Sequence, residues 1–107
     1  ALIRAMLGHA LLETNEPALL DEAIKELTVG IARETIGAGP AYRHLATAHA
    51  RRGDQATADL MIAQGFFAEG QIDQAKGHAK RAQARLKVGS PGWLKADDIL
   101  SFKEPRL

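Results

Sequence analysis

Apolar side chains recur along the chain at intervals of three and four residues. One such stripe covers residues 20–31, a second covers 42–49 and a third covers 72–86. This is the period of an α-helix that buries one face, and no segment sustains the alternation of a half-buried strand. The pattern therefore predicts an all-α protein.

Glycine and proline divide these stripes into pieces of helix length. The breaks fall at residues 15–17, 37–40, 53–54, 70–71 and 89–92. Proline is tolerated in the first turn of a helix, and glycine commonly ends one. Because the loops are short, consecutive helices must run antiparallel. We therefore predict an antiparallel helix-turn-helix array of five to six helices, at residues 1–13, 17–35, 40–52, 54–69, 71–87 and 91–102.

A motif of small and apolar residues recurs on these helices, and each copy covers two of them. The copies are Arg4-x2-Leu7-Gly8-x2-Leu11 with Ala23-x3-Leu27-x2-Gly30, Tyr42-x2-Leu45-Ala46-x2-His49 with Ala58-x3-Ile62-x2-Gly65, and Asp59-x2-Ile62-Ala63-x2-Phe66 with Ala75-x3-Ala79-x2-Ala82. This pattern resembles the tetratricopeptide repeat, a helix–turn–helix unit of about 34 residues. The second and third copies share the helix at 54–69, so the pairing of the helices after Gly53 stays open.

The small residues of the motif have a physical role in such a repeat. Two paired helices can approach closely only if each carries a small side chain where they cross. The resemblance predicts these crossing positions as Gly8, Ala46 and Ala63 on first helices and Ala23, Ala58 and Ala75 on second helices.

A narrower resemblance rests on three segments that follow one another in the chain. They are Leu19-Leu20-Asp21-Glu22-Ala23-Ile24, Ala50-Arg51-Arg52-Gly53-Asp54 and Gly89-Ser90-Pro91-Gly92-Trp93-Leu94-Lys95-Ala96-Asp97-Asp98-Ile99. The series is similar to the C-terminal repeat region of bacterial zinc metallopeptidases related to the periplasmic β-barrel-assembly-enhancing protease. This resemblance implies a periplasmic location and a partner in outer-membrane assembly or among client proteins. It also implies an HExxH catalytic domain with zinc elsewhere in the parent protein.

HExxH does not occur in this sequence, so we expect a non-catalytic protein–protein interaction domain that holds no cofactor. Stacked helix pairs form a concave groove that suits an extended peptide or protein segment. The side chains predicted to line it are His9, Leu12, Glu13, Arg43, Thr47 and Arg51, joined by Gln64 and Phe67 if the third copy of the motif sets the pairing. The alternative is a structural domain that forms homo-oligomers through an exposed N-terminal helix or covers the parent's active site.

The amino-acid composition narrows the kinds of partner and location that are expected for the protein. The 14 basic and 13 acidic side chains nearly cancel, which disfavours nucleic acid as a partner. No run approaches the roughly 20 apolar residues of a transmembrane helix. The chain begins at Ala1 rather than Met, so we expect residues 1–107 to be one domain cut from a longer polypeptide.

The remaining chemically active side chains indicate no catalytic or metal site. His44 and His49 are five residues apart, whereas two zinc ligands on one helix face need a spacing of three or four. Asp97 and Asp98 are adjacent and diverge by about 100° on a helix, which favours a solvated face. Trp93 is expected to pack on the preceding helix. The basic stretch at 76–87 is expected to be a solvated face, with an acidic protein partner as the alternative.

Overall fold

The computed structural model describes residues 17–33 and 38–103, and within these ranges the protein is a succession of five α-helices with no strand. The prediction of an all-α array is confirmed. The predicted helix at 1–13 lies outside the described residues. The helices are α1 (Pro17–Arg33), α2 (Ala38–Arg51), α3 (Gln55–Ala68), α4 (Ile72–Arg85) and α5 (Pro91–Ser101).

Local hydrogen bonds explain where α3 and α5 begin. The Asp54 side chain accepts a hydrogen bond from the backbone N–H of Thr57 at 3.1 Å, and Ser90 accepts one from the N–H of Trp93 at 3.3 Å. Such N-caps satisfy backbone donors that have no partner inside the helix. Gly53, between α2 and α3, has a φ of +84°, a left-handed conformation that costs glycine little. All three residues lie at breaks that the sequence predicts, at 53–54 and 89–92.

Besides the end of α1, which borders residues that the structure does not describe, two helix ends lie two residues from their predicted positions. α2 begins at Ala38, two residues before the predicted start, because Pro40 still falls within the first turn, where no backbone N–H is required. α4 ends at Arg85, two residues before the predicted end. Leu86 is already extended, with a φ of −93° and a ψ of 150°, so the chain leaves the helix before Gly89.

Each helix packs against the next one in the chain, and α3 also contacts α5. The helix α3 is therefore the centre of the described structure. Its Leu60 and Ala63 form one core with the buried alanines of α4 and with Ala96 and Ile99 of α5. A second buried region joins Leu27 of α1 to α2.

The buried faces of α2 and α4 repeat the same pattern. Ala41, Leu45 and Ala48 of α2 are buried, and the positions 34 residues further on are all buried alanines of α4. These positions are Ala75, Ala79 and Ala82. The second and fourth helices are thus equivalent in how they pack.

The small residues predicted at helix crossings are buried wherever the structure describes them. Ala23, Ala63 and Ala75 have no exposed surface, Ala58 is 1% exposed and Ala46 is 6% exposed. Gly8 lies outside the described residues. A further close approach occurs at Gly65, where an added Cβ would lie 3.2 Å from the Cβ of Tyr42, so α2 and α3 come together at a glycine.

Candidate functional site

The residues predicted to line one groove lie on two opposite faces of the α2–α3 pair. Arg43 and Thr47 line a cavity on one face, with Ile62 of α3. Gln64 and Phe67 line a separate cavity on the other. Positions 62 and 64 diverge by about 200° around a helix, so α3 cannot turn both toward the same groove. The structure thus places Gln64 and Phe67 in a different cavity from Arg43 and Thr47.

The first surface, which we call the alanine cleft, is a cavity of about 370 Å³ between α2 and α3. The alanine side chains that line it are short and leave this space between α2 and α3 open. Arg51 is exposed and is not among the lining residues, and His9, Leu12 and Glu13 of the predicted groove lie outside the described residues. The lining residues are Arg43, Ala46, Thr47, Ala50, Gln55, Ala58, Ile62 and Phe66.

Polar groups at the edge of the alanine cleft are held by partners. Arg43 forms an ion pair with Glu69, just past the end of α3. Gln55 donates a hydrogen bond to one carboxylate oxygen of Asp59 at 3.1 Å, and Arg85 of α4 lies 3.7 Å from the other oxygen. Asp59 is only 5% exposed, and both of its oxygens therefore have partners, as a buried carboxylate requires.

The helix α4 reaches the alanine cleft through an aromatic contact. The His78 ring stacks on Phe66 with ring centroids 5.3 Å apart and an interplanar angle of 21°. Burial lowers the pKa of His78, the nearby Arg81 lowers it further, and Asp59 acts in the opposite direction. His78 is therefore neutral near pH 7, and its ring covers part of the cleft residue Phe66 from the side of α4.

The second surface, which we call the polar groove, lies on the opposite face. It consists of two cavities of about 250 Å³ each that share Tyr42, Gln64 and Lys95 and are therefore continuous. The groove crosses four helices. Its other lining residues are Thr28 and Ile31 of α1, Leu45 and His49 of α2, Met61, Phe67 and Ala68 of α3, and Asp98 and Ile99 of α5.

Two polar atoms among the groove residues have no hydrogen-bond partner within the described residues. They are the side-chain amide oxygen of Gln64 and Nδ1 of His49, and both are shielded from solvent. A buried polar atom without a partner costs about 1–3 kcal/mol. A ligand that donated hydrogen bonds to these atoms, after a small movement of the two side chains, would recover that cost.

Burial also lowers the pKa of His49, with Arg52 lowering it further and Asp54 raising it. The imidazole is thus neutral near pH 7, and Nδ1 is able to accept a hydrogen bond when the proton sits on the other ring nitrogen. The sequence assigned Tyr42 and His49 to the packing stripe of their helix and gave Lys95 no role. Their position in the groove depends on the distance between α2 and α5, which the sequence did not provide.

We expect acidification to destabilise the fold through His49 and His78. Both histidines have a pKa below the usual 6.5, so the unfolded chain takes up protons more readily than the folded one. Stability from this source is complete above pH 6.5 and is lost as the pH falls toward the folded pKa values. The thermal midpoint should therefore be lower at about pH 5.5 than at about pH 7.5.

A variant carrying both His49→Gln and His78→Gln provides the control for this pH dependence. It lacks the two half-buried imidazoles, so its thermal midpoint should change less between the same two pH values. An equal fall in the wild-type protein and in the double variant would show that other groups cause the effect.

The described residues contain no group of three or more histidine or acidic side chains positioned to hold a metal ion. Asp97 accepts a hydrogen bond from Gln83 of α4 at 3.2 Å, whereas Asp98 is exposed and lines the polar groove. These two carboxylates therefore act separately.

Trp93 is half-buried at the start of α5, where Ser90 caps its backbone N–H.

None of the described helices is both long enough and apolar enough to cross a membrane. Comparisons of the chain with known protein families, with curated proteins and with solved structures find no match. The function must therefore be argued from the two surfaces themselves. They are an open apolar cleft with paired charges at its edge, and a groove with unsatisfied polar atoms.

Proposed function

We propose that this chain is a protein-interaction domain that binds an extended peptide segment in the polar groove. The observation that carries the proposal is the pair of shielded, unpartnered atoms on Gln64 and His49. Both accept hydrogen bonds, and the backbone N–H groups of an extended peptide are regularly spaced donors. Lys95 adds a cation that suits a peptide carbonyl or carboxylate.

Equivalent positions of α3 and α5 line this groove. Met61 and Lys95 are 34 residues apart, and so are Gln64 and Asp98, and all four face it. A groove built from repeated positions presents its side chains at regular intervals, which suits a partner that is itself extended and regular. The helices α3 and α5 contact each other directly, and α2 and α4 bury residues at equivalent positions. Both observations favour pairing α1 with α2 and α3 with α4. This supports the third copy of the motif as the repeat, in the manner of a tetratricopeptide array.

The proposed partner follows from the narrower resemblance. We infer that the domain supplies the peptide grip of a zinc-dependent peptidase, with the catalytic HExxH motif elsewhere in the parent protein and the whole acting in the periplasm. Reading the gene upstream of Ala1 tests this step. An HExxH motif there supports it, and a parent gene without one overturns it while leaving peptide binding untouched.

Peptides selected from a random extended-peptide library provide a test of the groove. We expect Gln64→Leu to weaken the selected peptides about 3- to 10-fold, the effect of losing one net hydrogen bond of about 0.5–1.5 kcal/mol. Affinity is measured by titration calorimetry, with circular dichroism to verify that the helices remain. Gln64→Leu combined with His49→Leu should weaken binding further.

The matched control is Ile62→Ala, on the same helix but facing the alanine cleft. It should leave the affinity of these peptides unchanged. Selected peptides that bind the Gln64 and His49 variants as tightly as the wild-type protein would contradict the proposal. A library that yields no binder would contradict it as well, and would favour a purely structural role.

A further inference from the structure

The alanine cleft lies on the opposite face from the polar groove, and its chemistry is different. Ala46, Ala50 and Ala58 line it together with Ile62 and Phe66, and none of its lining residues carries a shielded polar atom without a partner. Its volume of about 370 Å³ falls within the range of binding cavities, about 300–1,000 Å³. The cleft is therefore suited mainly to apolar side chains, and its polar residues Arg43 and Gln55 already have partners within the protein.

The shape of the alanine cleft favours a helix over an extended chain. Its lining residues follow α3 from Gln55 to Phe66, a length of about 16 Å or three helical turns. The alanines permit a third helix to approach closely between α2 and α3. Apolar side chains at helical spacing on such a helix would enter the cleft, as amphipathic helices do in hydrophobic grooves.

Charge defines the chemistry of that helix. Arg81 and Arg85 of α4, which we call the arginine edge, lie near the cleft without lining it: Arg85 approaches Asp59, which accepts a hydrogen bond from the cleft residue Gln55. Arg85 pairs with Asp59, whereas no ion pair of Arg81 occurs among the described residues. Arg81 lies one turn beyond His78, whose ring stacks on the cleft residue Phe66, and its charge acts on that histidine.

The lysines of the same helix lie elsewhere. Lys80 is next to Arg81 and therefore points about 100° away around α4. The side chain of Gln83 contacts α5, so Gln83 lies on the side of α4 that faces away from the cleft. Lys80 is exposed and lies next to that side of the helix. The basic stretch of the sequence is thus two separate groups, and only the arginine edge flanks the cleft.

We propose that the alanine cleft and the arginine edge together bind an amphipathic helix of a partner protein that carries acidic residues along one side. Apolar side chains of this helix fill the cleft, and its carboxylates face Arg81. This surface is independent of the polar groove, so the domain is able to hold two segments at once, one extended and one helical.

A library of helical peptides tests the proposal. Each peptide has about three to four turns, apolar residues at every third or fourth position, and either glutamate or lysine at the flanking positions. Selection against the whole chain should enrich glutamate at the flank. Arg81→Glu should weaken the selected peptides about tenfold, and raising the salt concentration should weaken binding to the wild-type protein.

Two control variants distinguish binding at this site from non-specific electrostatic attraction. Lys80→Glu makes the same change in charge on the other flank of α4 and should have little effect on affinity. Ala50→Trp fills the cleft from an exposed position and should abolish binding, with the circular dichroism spectrum unchanged. The proposal would be overturned if the selection enriched lysine and glutamate equally, or if the two charge reversals had equal effects on affinity. Full binding by the Ala50→Trp variant would overturn it as well. Gln64→Leu leaves the alanine cleft intact, so it should not change the affinity of the helical peptides. A failure of helix binding at the cleft can therefore be distinguished from a failure of peptide binding in the polar groove.

Discussion

Replacing Leu27 with alanine is expected to lower the free energy of unfolding by about 2–5 kcal/mol. Leu27 has no exposed surface and is the largest fully buried side chain of the described residues. It packs with Ala41 and Leu45 of α2 and so attaches α1 to the rest of the structure. The substitution removes apolar contacts and leaves a cavity among the residues that pack around Leu27. Chemical denaturation followed by circular dichroism measures the effect.

The matched control for this change is Lys25→Ala, an exposed position on the same helix. It should alter the free energy of unfolding by less than about 0.5 kcal/mol. If Leu27→Ala proved as mild as Lys25→Ala, the packing of α1 against α2 described above would be wrong. A domain typically has about 5–15 kcal/mol of stability, so the expected loss is a large fraction of the total.

Replacing Ala79 with leucine is expected to destabilise the protein by about 1–3 kcal/mol or more. Ala79 is fully buried in the core that α3, α4 and α5 share, and its neighbours Ala75, Ala82 and Ala96 are also without exposed surface. A core built on alanine brings helix backbones close together. The three additional carbon atoms of leucine therefore have no space unless α4 moves away from α3 or α5.

Ala84→Leu is the control, since Ala84 is exposed on the same helix and both residues favour helices equally well. Its thermal midpoint should stay near that of the wild-type protein. A core that accepted leucine at position 79 without loss of stability would mean that these helices pack more loosely than the structure indicates. The two variants together distinguish the effect of packing from that of helix propensity.

The helices themselves could be predicted from the sequence because the signals that form them are local. Asp54 and Ser90 cap helices through hydrogen bonds to residues three positions away, and Gly53 adopts its turn conformation without distant contacts. The apolar stripe of α1 identified Leu27 as a core residue in the same way. The predicted start of α2 and the predicted end of α4 were each wrong by two residues, because the first and last turns of a helix are held by few hydrogen bonds.

The candidate surfaces required the tertiary structure. The sequence predicted that Arg43, Thr47 and Arg51, spaced four residues apart on one helix, share a ridge; Arg43 and Thr47 line the alanine cleft, whereas Arg51 does not. It did not determine on which side of α3 that ridge would lie, and so it grouped Gln64 with residues of the opposite face. Helical periodicity fixes which side chains of one helix point in a common direction, because that depends only on the backbone of that helix. Which faces of different helices meet depends on how far the helices are apart and how they cross. Those quantities were set by small residues that fit closely only in the assembled structure, such as Gly65 against Tyr42 and Ala63 within the α3–α5 core.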